Sequence, residues 1–94
     1  RASRQQRPLE QRVEGLESEI VDREERIQAI HAEMIQVSES GDGERMALLQ
    51  PELHGLQGEI EELFGKLEAA SKELEEVRAE LEQERARLDA ISAT

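Results

Sequence analysis

The sequence predicts an all-α protein: an antiparallel two-helix coiled-coil hairpin whose second helix is longer than the first. Three observations predict it. Apolar residues recur at alternating steps of three and four on both sides of one loop. The first run is Leu9, Val13, Leu16, Ile20, Arg23, Ile27, Ile30, Met34 and Val37. The second is Met46, Leu49, Leu53, Leu56, Ile60, Leu63, Leu67, Ala70 and Leu74. Seventeen of these eighteen positions are apolar, which is the a/d spacing of a coiled coil. The runs also match in reverse, from Val37 with Met46 to Leu9 with Leu74, each pair of numbers totalling 83. One fold-back therefore brings every a position opposite a d position. Composition, the third observation, leaves little else to build with: one Phe and no Tyr, Trp or Cys among 94 residues, of which 37% are charged. A single aromatic does not make an ordinary globular core.

The elements follow in order. Residues 1–8 form a basic N-terminal segment, of which 1–7 are polar and expected to fray, and Pro8 suits the first position of a helix. Helix one is predicted over 9–38. The segment SESGDGE (38–44) carries the turn, with the loop at 39–43. There Gly41 suits the left-handed conformation that ends a helix, and Asp42 suits the cap of the next. Helix two is predicted over 44–92. Pro51 lies about two turns inside it and cannot donate its backbone N–H. Either the helix kinks at Pro51, or residues 44–49 form a separate turn and helix two restarts there. Gly15, Gly55, Gly58 and Gly65 fall at outer c and f positions, where each costs its helix roughly 1 kcal/mol relative to Ala and leaves the seam alone.

Helix one should span roughly 45 Å and helix two roughly 70 Å. The stripe continues past the end of helix one as Val77, Leu81, Glu84, Leu88 and Ile91. This overhang is expected to lack an apolar partner in residues 1–8. A second copy, giving a homodimer, or the rest of a larger parent protein is expected to cover it. The chain opens on Arg rather than Met, which reads as a fragment of such a parent.

The net charge of −11 is unevenly placed. Residues 13–70, the distal part of the hairpin, hold 4 basic and 15 acidic residues, whereas residues 1–12 and 71–94 at the root hold 8 of each. An acidic tip repels phosphate; a root with Arg1, Arg4, Arg7 and Arg12 tolerates it. No apolar run approaches the ~20 residues that span a bilayer, so no membrane partner is expected. Zero cysteine excludes a disulfide framework and thiolate metal sites.

Nothing in the sequence points to catalysis. There is no phosphate-binding Gly-rich loop, nucleophile elbow or Ser/His/Asp set, so no catalytic residue, cofactor or small-molecule ligand is expected. His31 and His54 near the loop, with Glu33 and Glu52, are read as solvated flanks rather than metal ligands, since no i, i+4 ligand pair exists. Arg23, the charged residue on the stripe, has two readings. One is a register pin. The other, preferred, is a stem along the seam with its head snorkelling to Glu19, Glu24 or Glu59. Phe64 and Val21 lie off the stripe on one flank, one layer apart, either as a docking patch or, more commonly for such residues, as a broadening of the core.

The segment RQQRPLEQRVEGLESEI (4–20) resembles the opening of the C-terminal coiled-coil domain of ABC-F ATPases, including the Uup type. Leu9, Arg12, Val13, Leu16, Glu17 and Ile20 occupy that pattern. The segment ELFGKLEAASKELE (62–75) resembles the second helix of that domain through Leu63, Ser71, Glu73, Leu74 and Glu75. Phe64, Leu67 and Ala70 stand where the family usually has Tyr, Trp and Leu. The resemblance implies a cytoplasmic ATPase with two upstream nucleotide-binding domains. It also implies an accessory role in translation on the ribosome or in DNA binding, with Arg1, Arg4, Arg7 and Arg12 as the only candidates for phosphate contact. The alternative is a generic interaction or spacer coiled coil that self-associates through Val77, Leu81, Leu88 and Ile91, with Phe64 and Val21 as a further partner patch.

Overall fold

A computed structural model of the protein describes residues 2–93. Helix α1 runs Ala2–Ser40 and helix α2 runs Gly43–Ser92. They lie antiparallel as one hairpin 78 Å long and about 15 Å across, with extents of 78 × 16 × 14 Å. The second helix is the longer, at 50 residues against 39.

Two residues suffice to reverse the chain. Gly41 adopts φ +76°, a left-handed conformation that costs glycine nothing. The Val37 carbonyl accepts from both Gly41 N–H at 2.9 Å and Asp42 N–H at 3.2 Å, which closes α1. The Asp42 side chain accepts from Arg45 N–H at 3.1 Å and caps α2. The helices therefore close in on the loop, to Ser40 and Gly43, from the 39–43 expected.

All eighteen stripe residues are buried or half-buried, and none is exposed. The core falls into two clusters. One holds Leu16, Ile20, Leu63 and Ala70, with Val13 and Leu67 packed on it. The other holds Ile30, Val37 and Leu49, with Met34, Met46, Leu53 and Leu56. Arg23, opposite Ile60 in the reverse register, stands between them. Only Ile30 and Leu49 are wholly shielded from solvent among the larger side chains.

The structure corrects the N-terminal boundary. Residues 2–7 are helical rather than frayed, and Pro8 lies inside α1 instead of starting it. The same register carries on through this added segment, setting Gln6 opposite Val77 and Ala2 opposite Leu81. Ala2 is 8% exposed and Val77 4%, while Gln6 and Leu81 are half-buried. The seam thus extends two layers further than expected. Its packing offsets the cost of a proline in the second turn. Helix α2 likewise continues through Pro51, so residues 44–49 form no separate turn.

Candidate interaction surfaces

In a coiled coil, position e borders the seam beside a, and g borders it beside d. In an antiparallel pair the e residues of the two helices share one edge and the g residues share the other. The two edges of this hairpin differ in chemistry.

The g edge is zipped by charge. Arg26 donates from Nε to Glu52 Oε2 at 2.6 Å and from Nη2 to Oε1 at 2.9 Å, a bidentate pair. Arg45 pairs in the same way with Glu33, through Nε and, at 3.0 Å, through Nη2. These contacts hold the Glu52 and Glu33 carboxyls below the usual carboxylate range, chiefly through the hydrogen bond from each arginine. They raise Arg26 and Arg45 correspondingly. Both pairs have residue numbers totalling 78. The next position down that ladder sets Glu19 against Glu59, two like charges. Arg23 resolves the clash. Its Nε donates to Glu59 Oε2 at 3.3 Å and its Nη1 to the Glu19 carbonyl oxygen at 3.1 Å, with Glu19 Oε1 at 4.0 Å. Its head thus leaves the seam, to Glu19 and Glu59 rather than Glu24.

The e edge is different. From residue 13 to residue 70 its e and b positions carry no Lys or Arg; all four cations of the distal part, Arg23, Arg26, Arg45 and Lys66, sit at d or g. The first inter-helix ion pair on this edge is at the root, Arg78 with Glu10 at 3.8 Å. Phe64 at e and Val21 at b are each 49% exposed here, and with Glu17, Ile20, Glu24 and Leu67 they line a shallow groove of about 210 Å³. The signal for this segregation lay in the sequence. It appears only when the flanking positions, and not just the stripe, are assigned to edges.

The remaining candidates are placed as follows. Val77 is buried and Leu81 half-buried, because α1 starts early enough to reach their layers; the open overhang expected from Val77 onward begins after Leu81. Leu88 and Ile91 are exposed, at 53% and 64%. Arg4, Arg7 and Arg12 are exposed, and no ion pair engages them among the described residues. They do not converge. Arg4 and Arg7, three apart, share a face, whereas Arg12 lies on the g edge in the layer of Lys66. Arg1 lies outside the described residues. His31 and His54 are exposed on the flanks, and no group of three or more metal-ligating side chains assembles among the described residues. No helix among the described residues is long and apolar enough to cross a membrane.

Comparison with protein-family models, with curated proteins and with solved structures finds no match to this chain.

Proposed function

We propose that this chain is a non-catalytic interaction arm, a slender acidic hairpin that engages its partner through its open end. The observation that carries this is where the seam stops. The helices cover each other from Val37 and Met46 down to Ala2 and Leu81, and α2 then runs on to Ser92 with Leu88 exposed at a core position of the stripe. An apolar a position left exposed, as Leu88 is, is what another helix completes. A second copy supplies one directly, because two overhangs running antiparallel present the same stripe to each other. Support for an ABC-F-like ATPase as the parent, and for a cytoplasmic setting, comes only from the residue pattern between Leu9 and Glu75.

Sedimentation velocity over a range of concentrations tests the reading. The expected result is concentration-dependent dimerisation that Leu88→Glu abolishes while the helix content persists. A monomer at every concentration, with truncation after Leu81 leaving the melting temperature unchanged, would sink it.

A second reading rests on the exposed Arg4 and Arg7, which no acid among the described residues engages. It makes the root a contact for nucleic acid or ribosomal RNA. Its expected signature is binding of branched DNA at low salt that weakens steeply as salt rises and drops when Arg4→Ala and Arg7→Ala are combined. Binding unchanged by that pair of substitutions would remove the root from consideration.

A further inference from the structure

The apolar groove on the e edge lies midway along the arm, far from the open end, and the proposed function does not use it. Its floor is the seam at Ile20 and Leu67, and its walls are Val21 and Phe64. The charged residues along its rim are all acidic. Glu17 and Glu24 flank it on α1; Glu61 and Glu68, three before and four after Phe64, flank it on α2; and Glu14 extends it toward the root. All five carboxylates are at e or b positions, and no Lys or Arg shares those rows between residues 13 and 70. Each distal cation that could have neutralised them is on the opposite edge or in the seam. Arg23, Arg26 and Arg45 are held there by Glu59, Glu52 and Glu33. Along the row of Val21, the next large apolar residue is Ile35, also exposed, two heptads on and about 21 Å away along the helix axis.

We propose that this edge is a docking groove for an amphipathic helix that carries Lys or Arg on both sides of an apolar stripe. A third helix laid along the e edge of a two-stranded coiled coil buries the e-position aromatic between three helices. Here it would also place its cations against Glu17 and Glu24 on one side and Glu61 and Glu68 on the other. The charge chooses among occupants. A second copy of this chain would bring the same five carboxylates against these five. A nucleic acid or an anionic membrane would be repelled by them. A basic helix is the occupant whose apolar and charged surfaces both fit.

The test uses the full chain and a designed 18-residue peptide with a Leu stripe flanked by Lys, labelled for fluorescence anisotropy. A second peptide of the same composition, scrambled to destroy the stripe, is the control. The expected result is binding of the striped peptide at least about tenfold tighter than the scrambled one. Phe64→Ala should weaken it by about tenfold, as should Glu17→Gln combined with Glu24→Gln. Glu62→Gln combined with Glu76→Gln, at c positions on the other side of the hairpin, should leave it unchanged. Phe64 is half-exposed, so the variant is expected to keep its helix content, and circular dichroism checks this. Equal binding of the two peptides, or equal weakening by the two carboxylate pairs, would show attraction to net charge alone and overturn the proposal. Loss of chain self-association in Phe64→Ala, with no effect on the peptide, would assign the patch to a second copy and overturn it as well.

Discussion

Arg23 shows how one side chain serves two layers of the molecule. It occupies a core position and splits the apolar seam into two clusters. It also sits between Glu19 and Glu59, which would otherwise face each other across the g edge with like charge. Magnitudes decide which role dominates stability. A half-exposed ion pair is worth about 0–1 kcal/mol, whereas burying a leucine at a seam position contributes about 1.5–3 kcal/mol when burial is complete. Arg23→Leu should therefore raise the thermal midpoint, by an amount equivalent to about 1 kcal/mol at this half-buried site. A lowered midpoint in a circular dichroism melt would show that relief of the Glu19–Glu59 repulsion outweighs apolar burial. The stripe revealed Arg23 at once. Its partners depended on the g-edge pairing, which the stripe does not display.

The paired carboxylates Glu33 and Glu52 carry a pH signature at the same scale. Both are held below the usual range in the folded chain. Their contribution to stability is therefore present above the unfolded-state value of about 4.3 and is lost as the pH falls through their lowered folded-state values. The difference in melting temperature between the wild type and Glu33→Gln combined with Glu52→Gln should be positive at pH 7 and shrink as the pH is lowered below about 4.3. A difference that stays constant over that range would mean that the two pairs do not contribute as ions.

At the scale of elements, the prolines measure how far packing overrides local preference. Pro8 and Pro51 are both exposed, at outward c and f positions, so the carbonyl that each deprives of a donor faces water. A proline inside a helix costs about 3 kcal/mol relative to alanine, yet both helices run through theirs. The residues upstream of each are held by the opposite helix: Ala2 in the layer of Leu81, and Met46 and Leu49 in the layers of Val37 and Met34. Pro51→Ala restores an N–H that can donate to the Ala47 carbonyl. It is expected to stabilise the hairpin by about 1–3 kcal/mol, read from the shift in a urea midpoint. No shift would mean that α2 had already relaxed around the ring at little cost. The helices and their turn were legible because spacing, Gly41 and Asp42 are local signals. The start of α1 was not, because Pro8 reads locally as the first position of a helix, whereas contact with α2 carries the helix back to Ala2.

The whole molecule is a rod with two kinds of edge. Labels at Ser18 and Gly65, outward residues that the register sets in one layer, should lie within about 25 Å of each other in the hairpin, given helix axes 8–10 Å apart and two outward-pointing tethers. A continuous helix would separate them by about 70 Å. Double electron–electron resonance distinguishes the two, and a dominant long intramolecular distance would remove the hairpin and the surfaces derived from it. Charge is also organised at this scale. The net −11 belongs to the distal part, where the three arginines are spent on inter-helix pairs and the e edge keeps its acids unopposed.

By itself the sequence determined that two helices fold back in one antiparallel register. A seven-residue apolar repeat that matches itself in reverse has one arrangement that buries both stripes at once. Only the tertiary structure decided where that seam ends and which flanking residues stay open. Those outcomes depend on what lies across the interface: Ala2 in the layer of Leu81 takes Val77 and Leu81 out of the overhang and leaves Leu88 exposed, and the unzipped e edge leaves Phe64 and Val21 half in water. Spacing along one chain specifies a face, whereas coverage of that face is a property of two surfaces in contact.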